Sequence, residues 1–297
     1  MLYNVNEYFP DCELVISGAS YAGAPVSNTV MYLSKKVENL LTNLLHVSDC
    51  LVFIEKGINI PEYIIAKHFV FETENPQYEY AKFLNAYLVK MNNQNNKLHY
   101  ISTEKGYLIS ETASIGENVT IEPGCIIGHD VIIGDNAHIM AGAIVKNSII
   151  GNNFICGEGA VIGAFGFTFT EDEQGNKFRI PSIGKVVIGD YVEIGANDAI
   201  SAGTAGNTII EDYAKLDALV RVSHDVQIEK NVEIAAGAII GGFDIIGEET
   251  FVGMNAIIKN RVTLGKECLI GMGANAIRDV KSGMVVVGNP AKEIRKI

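Results

Sequence analysis

Ile210, Leu216, Val222, Ile228, Ile234, Ile240, Ile246, Val252, Ile258, Leu264 and Ile270 put an aliphatic side chain at every sixth position without a slip. A period of six restricts the fold more than any other feature of the chain. Four residues after each stands Ala214, Val220, Val226, Val232, Ala238, Asp244, Thr250, Ala256, Val262, Cys268 or Ala274, mostly small or β-branched. The register also holds at Ile115, Ile121, Ile127, Ile133, Ile139 and Val145. It resumes one residue short at Ile150, Cys156 and Ile162, and returns at Ile188, Ile194 and Ile200. On an α-helix of about 3.6 residues per turn this spacing carries the apolar position to a new face at each repeat. A coil of short strands keeps it inside. One aliphatic side chain points inward from each flat side, the small one packs beside it, and Gly or Asn takes the corner where positive φ is required. Stacked coils lie about 4.8 Å apart, as neighbouring strands do.

Function is expected where such a scaffold breaks its own rule. The largest break is residues 164–187, "AFGFTFTEDEQGNKFRIPSIGKVV", a polar and aromatic insertion expected to project as a loop. The second is "SAGTAGNT", residues 201–208, which lengthens one corner, and the third is the tail "VVVGNPAKEIRKI". Residues 1–107 have a different texture. "ELVIS", "TVMYLS", "CLVFIE" and "HFVFET" read as strands, while "KKVENLLTNLLHV" and "PQYEYAKFLNAYLVKM" have helical spacing. They predict a small α/β domain, joined through a polar linker at 92–97, "NNQNNK", to the repeat domain at 108–297.

A net charge of −12 argues against nucleic acid or anionic lipid as a partner, since both need a surplus of Lys and Arg. No apolar run is long enough for a bilayer span and no signal peptide opens the chain, so a cytoplasmic location is expected. Cys12, Cys50, Cys125, Cys156 and Cys268 are odd in number and show no CxxC spacing; reduced, packing thiols are expected.

The long run of hexads resembles the hexapeptide-repeat acyltransferases, whose fold is a left-handed parallel β-helix. That resemblance, not the period, implies three sides per coil, eighteen residues per turn and left-handed winding. It predicts a mainly β chain of seven or eight coils preceded by the small α/β domain. The order of features sharpens the likeness. An α/β domain, hexads, a Phe-Gly-Phe loop ending "IPSIGKVVIGDYVEIGAN" and then "KLDALVRVSHDVQI" resemble the UDP-3-O-acylglucosamine N-acyltransferases of lipid A synthesis, over nearly the whole chain up to about residue 280.

In that family the histidine of an "LDN…AHN" segment is the general base, which falls on His224. The oxyanion donor is a backbone N–H one coil later, which falls on Gly242, and Asp217 matches the Asp expected to orient the ring. The chemistry fits these residue types. A sugar amine attacking a thioester must lose a proton, which a neutral imidazole accepts, and the tetrahedral oxygen needs a preorganised N–H. A plainer reading stands beside this one. His129 occupies the same slot of its own hexad and His138 another outward slot, so histidines also occur on these coils as surface groups; His46, His68 and His99 are read as solvated or structural. Asp244, just beyond Gly242, is either a hydrogen-bonded core residue or part of the site.

Several positions depart from the family. Its uracil-binding aromatic, asparagine and tyrosine align with Met31, Ser34 and Val37, and Arg261 stands where a second histidine is found. Ala218 and Asp225 each replace an Asn. The tail "VVGNPAKEIRKI" is similar to the ends of coenzyme A-dependent sugar acetyltransferases, which implies an acyl-coenzyme A co-substrate and no permanently bound cofactor or metal. Asn289, Pro290 and Lys292 are then candidates for the donor tunnel, although "GNPAK" equally reads as a terminator. Phe167 and Phe169 either flank the acyl chain or anchor the loop. The expected activity is N-acylation of a nucleotide-linked amino sugar such as dTDP-4-amino-4,6-dideoxyglucose, for surface glycans, by a homotrimer with sites between subunits. The alternatives are the lipid A N-acyltransferase itself, using acyl carrier protein, and a non-catalytic β-helix scaffold.

Overall fold

A computed structural model describes residues 2–94 and 99–297, with side chains described outside 91–98. The chain forms two compact units. Among the described residues the first takes 2–94, 168–184 and 204–206, and the second takes 99–167, 185–203 and 207–297. Residues 95–97 of the expected linker lie outside the described residues, and 92–94 belong to the end of a helix, Pro76–Gln94. The division falls earlier than residue 107. Tyr100–Ser102 already pairs antiparallel with Leu108–Ser110, the first rung of the coil stack.

The second unit consists of parallel sheets closed into a coil. A first side runs from Leu108–Ser110 to Asn275–Ala276, a second from Ser114–Ile115 to Thr263–Leu264, and a third from Thr120–Ile121 to Met284–Val287. Register is offset by eighteen residues along most of the stack, as Val222 pairs with Ile240, Ile228 with Ile246 and Leu216 with Ile234, and by seventeen where the period falls one residue short, as Ile133 pairs with Ile150. The first and third sides carry nine coil strands and the second eight, because Ile109 completes the first turn and Ala276 and Val286, outside the aliphatic series, begin a ninth. The aliphatic column is buried almost throughout, and the small column with it. Burying a Val, Leu or Ile side chain contributes roughly 1.5–3 kcal/mol, so stability is spread evenly along the stack. Asn118, Asn136, Asn231 and Asn255 take the left-handed corners, as expected, but so do Tyr191, Tyr213, Phe243 and Arg261.

Cys125, Cys156 and Cys268 sit within this core and Cys12 and Cys50 within the first unit; all five are buried free thiols. Burial pushes the Cys156 thiol up to about 12, which leaves it inert as a nucleophile.

Two carboxyl groups interrupt the apolar interior. Asp198 accepts from Val220 N–H (2.7 Å) and Gly195 N–H (3.0 Å). Asp244 is fully buried; its Oδ1 accepts from Val262 N–H at 2.9 Å, and its Oδ2 has no partner among the described residues. Desolvation raises each to about 7. Between pH 4 and 7 the folded chain therefore binds more protons than the unfolded one, and stability falls as pH rises, levelling off above 7. The full shift is worth on the order of 4 kcal/mol per group at alkaline pH. Asp244→Val removes this penalty, but it orphans Val262 N–H at a cost of about 1–3 kcal/mol. The variant is expected to melt above the parent at pH 8 and below it at pH 4.5, read by thermal denaturation at both values.

In the first unit, Gly18–Ala19, Thr29–Leu33, Leu51–Glu55 and Phe69–Thr73 form a parallel four-stranded sheet. Alternation sends Val30, Leu51 and Phe53 to one core with the helix Pro76–Gln94, and Met31, Leu33, Val52 and Ile54 to another with Leu41, Leu44 and Ile64. "ELVIS" does not join this sheet; Val15–Ile16 pairs with Tyr3–Asn4 instead. The segment 35–46 forms 3-10 turns kinked at Val37.

The insertion is not a free loop. Phe169–Glu171 and Lys177–Arg179 form a hairpin, and within the first unit it packs on the helix. The Tyr78 and Phe178 rings meet edge-on at 5.1 Å, Asn75 and Asn85 donate to Glu171 O and Arg179 O, and Ile180 is buried.

Candidate active site

The edge between the first and second sides collects both insertions. Both insertions leave the coil there, after Ile162 and after Ile200, and Val222-Ser-His-Asp-Val226 turns the same corner one rung beyond the second. His224 lies on this edge with its side chain only 13% exposed. The turn works because Asp225 takes a left-handed φ of 61°, a conformation Asp tolerates, and its N–H donates to Thr208 Oγ1 at 2.9 Å.

Three contacts orient the imidazole. Nδ1 lies 2.9 Å from Asp225 Oδ2, so the carboxylate holds the proton on Nδ1 and leaves Nε2 as the acceptor. Phe243 meets the ring at 90° and 5.3 Å. Gly166, at the start of the first insertion, lies against the ring so closely that a Cβ there would sit 2.8 Å from His224 Cδ2. On the other side is Gly242, where a Cβ would lie 3.0 Å from Cε1 and 3.1 Å from Nε2. Glycine at 166 and 242 is what lets the ring lie between two backbones. At some other corners the matching N–H is capped by a side chain, as Glu117 N–H is by Asp135 and Asp190 N–H by Asp212. Gly242 N–H has no such cap among the described residues, and its carbonyl accepts from Arg261 N–H. Gly242 thus lies beside the acceptor nitrogen on the next rung of the same edge.

Asp217 is not part of this arrangement. It sits on the edge between the third and first sides, its oxygens accepting from Ala218 N–H (2.7 Å) and Ala236 N–H (3.2 Å). The orienting carboxylate is Asp225, which the sequence marks only as a replaced Asn; its adjacency to His224 is the available signal. Asp244 lies inside the coil, behind the edge, so of its two readings the interior one holds. Of the phenylalanines, Phe167 is 82% exposed, while Phe169 carries the Arg179 guanidinium 4.4 Å from its ring centre. At the far end, Asn289 Oδ1 accepts from Asn275 Nδ2 at 3.4 Å. Pro290 and Lys292 line a cavity of about 350 Å3 with Arg278, Val280 and Val286. "GNPAK" makes the turn at the end of the coil stack into an antiparallel strand, Lys292–Lys296, as the terminator reading has it.

The remaining histidines have other partners. His138 pairs with Glu122, His129 Nδ1 meets Ser110 Oγ, and His68, its pKa lowered by burial, bridges Leu44 O and Cys50 N–H. Among the described residues no group of three His, Cys, Asp or Glu is placed to hold a metal ion, and no helix is long and apolar enough to cross a membrane.

Asp225→Asn keeps the corner but removes the charge on Nδ1–H. Turnover is expected to fall by about 10–100-fold with little change in KM for either substrate, the size typical of outer-shell partners of a histidine. Steady-state kinetics check it.

Comparison with known proteins places these coils. Residues 112–147 and 207–242 match the bacterial transferase hexapeptide (six repeats), and residues 245–274 the hexapeptide repeat of succinyl-transferase. A UDP-3-O-acylglucosamine N-acyltransferase 2 of Legionella pneumophila is 37% identical over 149 residues. A UDP-3-O-acylglucosamine N-acyltransferase of Methylorubrum extorquens is 33% identical over the same length. Each alignment takes in half of this chain, less than the near-complete likeness expected, and the chain spans less than half the length of these relatives, 43% and 42%. Among solved structures, a UDP-N-acetylglucosamine acyltransferase from Bacteroides fragilis is 27% identical with a TM-score of 0.59, covering 66% of this chain and 74% of that one. One from Campylobacter jejuni is 25% identical, also at 0.59, over 64% and 73%. The fold is the left-handed parallel β-helix.

Proposed function

We propose that this chain, built of bacterial transferase hexapeptide repeats, is an N-acyltransferase. On this reading it moves an acyl group from a carrier thioester to the amine of a nucleotide-linked amino sugar. The carrying observation is the imidazole of His224 held between Asp225 and Gly242. His224 Nε2 takes the proton as the amine nitrogen bonds to the thioester carbon. Gly242 N–H donates to the oxygen that becomes negative, and the C–S bond then breaks, the imidazolium returning its proton to the departing sulfur, to release the thiol and the amide. Asp225 stabilises the imidazolium through Nδ1–H.

The relatives' names favour UDP-3-O-acylglucosamine over the dTDP-linked sugar expected from the sequence, and with it acyl carrier protein as donor. Two observations support the coenzyme A reading as a second possibility. Met31, aligned with the family's uracil-stacking aromatic, is fully buried in the first unit's core. The C-terminal cavity brings Arg278 and Lys292 beside apolar walls, a setting suited to a phosphorylated, partly apolar carrier. A homotrimer belongs to the proposal. The first side presents Leu108, Ile126, Ile144, Val161, Ile239 and Ile257 outward, interrupted by Arg221, whereas the third mixes Thr120, His138, Glu193, Lys215 and Glu233 with Ile155, Phe251 and Leu269. An apolar side on a chain of this charge is suited to closure about a threefold axis.

The test is thiol release from acyl-coenzyme A and from acyl carrier protein thioesters against UDP-, GDP- and dTDP-linked amino sugars. Turnover only with acyl carrier protein and a UDP-glucosamine derivative favours the lipid A reaction, turnover with coenzyme A the other. No release from any pair leaves the scaffold reading standing.

A further inference from the structure

Arg261 occupies the corner one rung beyond Phe243, which is itself one rung beyond Asp225, and all three have left-handed backbone, φ 65°, 65° and 61°. Asp has a short polar side chain suited to that conformation; Phe and Arg do not, but they share it with Tyr191, Tyr213, Leu219 and Glu249, so it marks the corner and not the site. The Arg261 guanidinium lies over the Phe243 ring, 4.1 Å from its centre, and the same ring meets His224 edge-on. One aromatic ring therefore separates the guanidinium from the imidazole. In a chain of net charge −12, no carboxylate among the described residues lies within salt-bridge reach of Arg261. The nearest acids by position are committed elsewhere: Asp244 points into the core on Val262 N–H, and Asp279 accepts from Thr263 N–H. The side chain is exposed yet held flat on an aromatic face, which limits the rotamer freedom lost when a ligand binds.

We propose that Arg261 is a specificity residue that binds an oxyanion, carboxylate or phosphate, carried by a substrate reacting at His224. The inference rests on the transfer reading above for its site. The Arg261 backbone lies one rung, or ~4.8 Å, beyond Gly242 along the edge, its N–H donating to Gly242 O, and its guanidinium rests over Phe243 on the same edge. One rung is the reach of a short acyl chain ending in a carboxylate, or of a phosphate on the acceptor. Both sources present the same chemistry to a planar five-donor fork.

Two matched pairs distinguish the sources: succinyl- against butyryl-coenzyme A, and a nucleotide-linked amino sugar against the same amino sugar without its phosphates. Arg261→Gln is expected to lower kcat/KM by roughly 10–100-fold for the anionic member of one pair while its neutral partner changes little, the range for a lost charge-assisted hydrogen bond. Arg261→Lys should recover part of that loss, since the charge remains and the fork does not. Calorimetric binding of succinyl-coenzyme A and of UDP-glucosamine to the whole protein gives a reading that needs no turnover. Binding of either that weakens tenfold in Arg261→Gln supports the assignment even if no transfer occurs. Equal losses for charged and neutral members of both pairs would mean that Arg261 only braces Phe243 against His224, and would overturn it. So would unchanged binding and kinetics throughout.

Discussion

His224→Ala is expected to lower turnover by about 10²–10⁴-fold while leaving the coil folded. The factor is that of a positioned general base. The fold survives because the side chain contributes nothing to the interior column: Val222 and Val226 on either side are fully buried, and the corner is held by Asp225 N–H on Thr208 Oγ1 and by Phe243 N–H on His224 O. What is lost is the acceptor facing Gly242. Steady-state thiol release measures the effect, and a thermal melt within a few degrees of the parent separates chemistry from folding. A variant that keeps more than a tenth of the parental turnover would remove His224 as the base, whatever donor is used.

Gly163→Ala is expected to have the largest effect on stability. Gly163 lies at φ 82°, and a Cβ there would fall 1.7 Å from the Lys146 carbonyl oxygen and 2.6 Å from its carbon. Both are backbone atoms, so no side chain can move aside. The glycine sits at the register shift between Ile162 and Ala164, where the chain leaves the coil for the insertion, and Asn147 Nδ2 donates to its carbonyl at 3.0 Å. Relief of the overlap means separating two rungs, which breaks that bond and disturbs Gly166 against the His224 ring. A loss above about 4 kcal/mol is expected, the range reserved for a strained backbone or a disrupted core. Gly175 provides the control. It has the same φ of 82°, but a Cβ there would meet nothing within 4 Å, so Gly175→Ala should cost only about 1 kcal/mol, the left-handed penalty alone. Urea titration of the two variants reads the difference, and equal midpoints would contradict it.

The coil is legible because its information is local and repeated. Each rung needs one inward aliphatic residue every six, so Ile210 to Ile270 declare the strand period, and the eighteen-residue offset then carries His224 onto Gly242. The terminal rungs at Ile109 and Val286 escape the count because each lies outside the unbroken aliphatic series. The insertion reads as a projecting loop because "FTEDEQGNKFR" is polar. Its hairpin is stabilised by Phe178 on Tyr78 and by Ile180, contacts nearly a hundred residues distant in sequence and invisible to any local pattern.

The orienting acid shows the same limit. Asp217 and Asp225 both stand near His224 in the chain, but every six residues the coil turns to another side, so Asp217 ends one full edge away while Asp225 shares the corner.

From the sequence alone came the β-coil, its period, the edge that breaks it and the histidine on that edge. Hydrophobic periodicity is a property of neighbours along the chain, and it needs no knowledge of what lies opposite. Which carboxylate holds the ring, why residues 166 and 242 must lack a Cβ, and how Phe243 brings Arg261 close to the imidazole were decided only by tertiary structure. Apart from the Asp225 pairing, those contacts join residues eighteen or more positions apart, through side-chain directions that the backbone corners set.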